Sequence, residues 1–151
     1  MMNYLAVIET TSTGYSGFIP DLDARVMTGM PTLDSLRKHL SEGLALYLRD
    51  HPDAPPATSR QLNDVPDLEG MDGLSAEMIA PAALNPVSLE LASAVRAAHL
   101  RPADLARKLN VTRASVSRLL DPFYFGQSLE SLRRVADALG AELTVQLKVP
   151  R

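Results

Sequence analysis

Cysteine and tryptophan are absent from this 151-residue chain, and the aromatic residues are four tyrosines and three phenylalanines. Without cysteine there are no disulfides, no thiolate nucleophile and no cysteine-ligated zinc. The same absence fits a reducing cytosol, so a cytoplasmic protein is expected. Histidine is scarce too: His39, His51 and His99 stand alone, and none has the paired spacing of a metal site. No apolar run approaches the length that crosses a bilayer, and no basic-then-apolar leader opens the sequence.

Motifs for covalent or phosphate chemistry are missing as well. The segment Gly14-Tyr15-Ser16-Gly17 is not a Gly-x-Ser-x-Gly elbow, and no glycine-rich loop leads to a lysine. Glu9, Asp21, Asp23 and Asp34 are the acids that could serve a metal-dependent nuclease, which needs several carboxylates on one ion. They fall at turns and at a helix start, where solvated acids are common. The expectation is therefore a protein that is not an enzyme, with no catalytic residue, no metal and no cofactor.

What is present is an uneven distribution of charge. The net charge is −3. Residues 1–84 hold 5 Lys and Arg against 12 Asp and Glu, whereas residues 85–151 hold 10 against 6. A basic half is drawn to phosphates, and an acidic half suits a basic partner.

The most informative stretch is Pro102 to Leu120, PADLARKLNVTRASVSRLL. It reads as two short helices. Pro102 suits a first helical turn, Asn110 tolerates the left-handed conformation that ends a helix, and Thr112 can cap the second helix. Leu105, Ala106, Leu109, Val111, Val116, Leu119 and Leu120 form one inner face, with small Ala106 where the helices cross. This is a helix-turn-helix layout, whose second helix lies in the DNA major groove. Arg113, Ala114, Ser117 and Arg118 face outward from it. Arginine suits the paired acceptors of guanine, and serine can pair with several bases. Expected base contacts are Arg113, Ser117 and Arg118. Arg107, Lys108 and Thr112 fall at or near phosphates, and Ser115 completes the candidate DNA-binding set.

Around that stretch the chain orders itself. Asn3–Glu9, Tyr15–Ile19 and Ala24–Met30 read as strands of an antiparallel meander. Gly14 and Gly17 serve backbone geometry or close approach. Thr32–Arg49 is a capped amphipathic helix striped by Leu33, Leu36, Leu40, Leu44 and Leu48, with Gly43 on or beside the stripe at a close approach to the sheet. Residues 51–75, rich in Pro, Asp and Gly, read as an irregular connection. Ala76–Ala80 reads as a strand returning to the sheet. Val87–Leu100 is a helix with Leu89, Leu91, Val95 and Ala98 inward. After the helix-turn-helix, the Phe123-Tyr124-Phe125 cluster is expected to pack against the helical core. Ser128 then caps a helix over Leu129–Leu139 that stops at Gly140. The fold class is α+β, with one domain over 1–82 and an all-α domain over 83–151.

Ala141–Val149 alternates: Leu143, Val145, Leu147 and Val149 lie on one face, and Glu142, Thr144, Gln146 and Lys148 on the other. A lone strand leaves its backbone unpaired. Pairing with the same strand of a second chain about a two-fold axis resolves this, so these four apolar residues are the expected dimerisation set. Joining the N-terminal sheet of the same chain is the other solution.

Two segments together resemble a known family. NYLAVIETTSTGYSGFIPDLDARVMTGMPTLDSLRKHLSEGLALYL resembles the N-terminal domain of HicB-type antitoxins. LARKLNVTRASVSRLLD followed by SLESLRRVADALGAEL is similar to the helix-turn-helix that many of these carry. The resemblance implies a partial ribonuclease H-like N-terminal domain that blocks a HicA-type toxin, an mRNA-cleaving ribonuclease. It also implies autorepression of the operon through operator double-stranded DNA, by a homodimer or higher even-numbered oligomer. The alternative is a transcriptional repressor whose N-terminal domain senses a small molecule or only dimerises.

Overall fold

The computed structural model describes residues 2–151, and the chain divides into two compact units, Met1–Ala83 and Leu84–Arg151. The fold is α+β, with the sheet in the first unit and a helical cluster in the second.

The first unit holds β1 (Tyr4–Thr11), β2 (Gly14–Phe18), β3 (Met27–Met30), α1 (Leu33–Asp50) and β4 (Leu74–Ile79). The four strands form one antiparallel sheet in the order β3-β2-β1-β4. β1 is central, and Tyr4, Leu5, Ala6, Val7 and Ile8 are all buried because both of its faces are covered. The β1–β2 turn requires glycine at Gly14: its φ is 153°, and an added Cβ would strike the Met30 carbonyl oxygen. Thr32 caps α1 by accepting from the Ser35 N–H at 3.2 Å. Leu36, Leu40 and Leu44 are fully buried against the sheet, worth about 1.5–3 kcal/mol each. Gly17 lets them approach, since a Cβ there would lie 2.9 Å from Leu40 Cδ1. Arg37 ties α1 to β4 through a two-pronged pair with Glu77 at 2.6 and 2.8 Å. Hydrogen bonding from Arg37 lowers the Glu77 pKa from its ordinary value.

Three expectations change here. The third strand starts at Met27 rather than Ala24, because Asp23 and Ala24 both adopt left-handed φ angles that continue the preceding turn. Gly43 is not demanded by close approach, since a Cβ would meet only Val26 Cγ1 at 3.4 Å. The irregular connection expected over 51–75 ends at Gly73, because the returning strand pairs with β1 from Leu74, and apart from a short 3-10 turn at Leu62–Asp64 it is a cover rather than a spacer. Leu62, Val65 and Leu68 pack with Leu5, Val7 and Phe18 on the sheet face opposite α1. Asp21 fastens this cover: its carboxylate accepts from the N–H and hydroxyl groups of both Thr58 and Ser59 at 2.7–3.2 Å. Burial pushes the Asp21 pKa up, yet the Ser59 and Thr58 hydrogen bonds outweigh it, and the net shift is downward.

The second unit holds α2 (Pro86–Ala97), α3 (Pro102–Leu109), α4 (Arg113–Leu120) and α5 (Leu129–Leu139). Val95, Leu105, Ala106, Leu109, Val116 and Val135 form its core. α2 starts and stops earlier than its apolar spacing suggests. Asn85 caps it, Pro86 opens it, and His99 at φ 56° ends it, leaving Ala98 exposed and Ser88 buried instead. The alternating tail after Gly140 forms no strand in the single chain, and Val145, Leu147 and Val149 are exposed. A strand exists only through its partner's hydrogen bonds, and one chain supplies no partner here.

Candidate nucleic-acid interface

The candidate interface is built on α3, the turn and α4. Asn110 adopts φ 54°, and the Val111 N–H donates to the Ala106 carbonyl at 3.0 Å, closing α3 in the left-handed stop that asparagine permits. Thr112 then caps α4 by accepting from the Ser115 N–H at 3.1 Å. From α5, the Arg134 guanidinium donates to the Leu109 carbonyl at 2.5 Å, fixing the C-terminal end of α3. Val116 is fully buried under α4, so the opposite face must point to solvent. That face carries Arg113, Ala114, Ser117 and Arg118, all exposed, at the i, i+4 spacing that aligns side chains on one helical face.

The residues expected to bind DNA are not equivalent. Among the described residues, no ion pair engages Lys108, Arg113 or Arg118. Arg107, by contrast, is ion-paired with Asp104, which also binds Arg101 at 3.0 Å. The hydrogen bonds from Arg101 and then Arg107 hold the Asp104 carboxyl far below the usual carboxylate range. Arg107 therefore reaches a phosphate only by leaving or sharing an anion. The Ser115 hydroxyl is engaged with Thr112 Oγ1 at 3.0 Å, so Ser115 and Thr112 build the start of α4. Arg118 lies over the Tyr124 ring, 5.9 Å from its centroid. Tyr124 and Phe123 are half-buried, as a packed cluster requires, but Phe125 is 60% exposed. Beside α4, a cleft of about 240 Å³ is lined by Ser115, Arg118, Tyr124, Ser128, Ser131 and Arg134, with no acid among its walls.

One part of this architecture has little sequence signal. Asn85 is 6% exposed and makes three side-chain hydrogen bonds. Its Oδ1 accepts from the Val87 N–H at 3.0 Å. Its Nδ2 donates to the Tyr124 carbonyl at 2.8 Å and to Gln127 Oε1 at 2.9 Å. Gln127 in turn donates to Ser88 Oγ at 2.5 Å and to the Leu119 carbonyl at 3.3 Å. This network ties the start of α2 to the loop after α4. The Asn85-Pro86 dipeptide, an N-cap residue before an N1 proline, is the signal that could have located it.

The acids of the first unit do not converge. Asp21 is committed to Thr58 and Ser59, Asp23 is exposed in a turn, and Asp34 opens α1 beside Arg37 at 3.2 Å. Glu9 sits in register with Ser16 and Leu74, at the far end of β1. Among the described residues, no group of three or more His, Asp or Glu side chains could share a metal ion. No helix among them is long and apolar enough to cross a membrane.

No protein-family model matches this chain, and no curated protein matches it. Among solved structures it is similar to one titled "HicA3 and HicB3 toxin-antitoxin complex". The identity is 23% and the TM-score 0.40, over 52% of this chain and 95% of that chain. A likeness this distant carries no functional assignment.

Proposed function

We propose that the chain is a non-enzymatic antitoxin and autorepressor of the HicB type. Its second unit binds operator double-stranded DNA as a helix-turn-helix, and its first unit, read as a partial ribonuclease H-like domain, covers a HicA-type toxin. The observation that carries this reading is the outer face of α4. Arg113, Ser117 and Arg118 are exposed together on a short, capped helix anchored in the core by Val116, and Arg134 fixes the end of the preceding α3. Such a face inserts into a major groove with donors for base edges. The cleft beside it holds the guanidinium groups of Arg118 and Arg134, whose remaining N–H groups offer donors to a backbone phosphate.

The toxin-binding half rests on the sequence resemblance and on charge. Eight of the twelve acids before residue 85 are exposed: Asp23, Asp34, Asp50, Asp53, Asp64, Asp67, Glu69 and Asp72. An RNA-cleaving partner must itself carry positive charge to hold RNA, and opposite potentials speed and select association. The test has two arms. A gel shift with the DNA upstream of the chain's own coding sequence should show salt-sensitive, sequence-selective binding. Co-expression with the neighbouring open reading frame should relieve its growth arrest and yield a co-purifying complex. No selectivity in the first arm removes the repressor; no rescue and no complex in the second removes the antitoxin.

A further inference from the structure

We infer that residues 141–149 pair with the same residues of a second copy as an antiparallel ribbon centred on Val145, with Glu142 of each copy opposite Lys148 of the other. This rests on the reading that the chain works as a two-fold pair, and adds the register to it.

The tail has the groups such a ribbon needs and does not use them within one chain. Among the described residues, the last backbone hydrogen bond is from the Ala141 N–H to the Ala136 carbonyl at 2.8 Å. Beyond it, Val145, Leu147 and Val149 are 62%, 91% and 83% exposed. The apolar row is continuous with the exposed Leu129 of α5, which lines one cleft with Leu143 and Val145.

A second copy is the occupant because the segment is complementary to itself when reversed. Opposed residues of an antiparallel pair point to the same face, so only registers centred on a residue keep apolar against apolar. Centring on Gln146 sets Glu142 against Pro150, which has no N–H for the ladder, and leaves Lys148 against Thr144. Centring on Thr144 sets Glu142 against Gln146 and Lys148 against Gly140. Centring on Val145 sets Leu143 against Leu147 and Val145 against its own copy, and the symmetry makes the Glu142–Lys148 pair twice. Opposite charges across a ladder stabilise it, and like charges do the reverse. Pro150 then falls opposite Gly140, outside the ribbon.

The absence of cysteine makes the test clean, because any disulfide comes from the introduced residue. Full-length V145C, T144C and Q146C would each be oxidised and run on a non-reducing gel. Directly opposed residues lie about 4.5–5.5 Å apart between Cα atoms, within the span of a disulfide. In this register the two copies of residue 144, or of residue 146, are about 8 Å apart, which exceeds that span. V145C should therefore cross-link fastest. A maximum at 144 or 146, or no cross-link at any position, overturns the proposal. Independently, E142K should raise the dimer dissociation constant about tenfold at low salt, and E142K/K148E should restore it; failure of the double variant to recover also overturns it. Promoter binding by the wild-type chain, measured alongside, separates the two readings. A wrong register with selective binding intact sinks the ribbon alone, and loss of selective binding sinks the repressor.

Discussion

Replacing Asn85 by alanine should loosen the whole second unit, although Asn85 lies outside α3 and α4. The substitution removes the acceptor that caps α2 through the Val87 N–H, a loss of about 1 kcal/mol. It also removes two donors, at 2.8 Å from the Tyr124 carbonyl and 2.9 Å from Gln127 Oε1. Those acceptors sit in a region where water has poor access, since Asn85 itself is 6% exposed. Two neutral bonds, with partial desolvation of the groups left behind, bring the total to about 2–4 kcal/mol. A unit of this size has only about 3–10 kcal/mol in all. Hydrogen exchange of the full-length protein should show amides of α2, α4 and α5 losing protection about 30- to 800-fold. Asn85→Ser, which keeps an N-cap acceptor but loses both donors, should fall between wild type and alanine. If Asn85→Ala changes protection less than twofold, or if serine is as damaging as alanine, the network does not hold the unit together.

Three further substitutions test the first unit. Gly17→Ala should cost about 1–3 kcal/mol in urea unfolding, because its Cβ would press on Leu40 Cδ1 at 2.9 Å and Leu36 Cδ2 at 3.3 Å. Gly43→Ala should instead gain about 0.5–1 kcal/mol from helix propensity, its nearest contact being 3.4 Å; a loss as large as at Gly17 would contradict this geometry. Asp21→Ala should cost about 1–3 kcal/mol at pH 7 by releasing Thr58 and Ser59. The Asp21 pKa is lowered in the folded state, so its contribution is present above the unfolded pKa and fades as pH falls through the folded value. The gap between wild type and variant in urea midpoint should therefore shrink below about pH 4. A gap that stays constant down to pH 3 would rule out the clamp.

Much of this was legible because periodicity and capping are local. The leucine spacing of α1, the β formers around β1 and β2, the stop at Asn110 and the caps at Thr32, Thr112 and Ser128 all work within a few residues of where they are written. What escaped is non-local. Leu62, Val65 and Leu68 cover a sheet face, but an irregular segment delivers its apolar residues singly, with no period to betray them. Asn85 reads as one polar residue beside a proline, and its partners lie some forty residues away. In the candidate interface, exposure of Arg113, Ser117 and Arg118 followed from the apolar stripe beneath them. The capture of Arg107 by Asp104 is an i, i+3 pair visible in the sequence, and among the described residues it sets Arg107 apart from the unpaired Lys108 beside it. The tail's alternation is plain in the sequence, but it forms no strand in the single chain, because a ladder needs a second strand to bond to.

The central claim is that α4 reads a duplex. Fluorescence anisotropy of the full-length protein on its own promoter fragment, wild type beside Arg113→Ala, tests it most directly. The substitution should weaken specific binding by about 1–3 kcal/mol, or about 5- to 150-fold, and leave binding to a scrambled fragment much less affected. Equal affinity of the two proteins for the promoter, or no preference of the wild type for promoter over scrambled DNA, would contradict it.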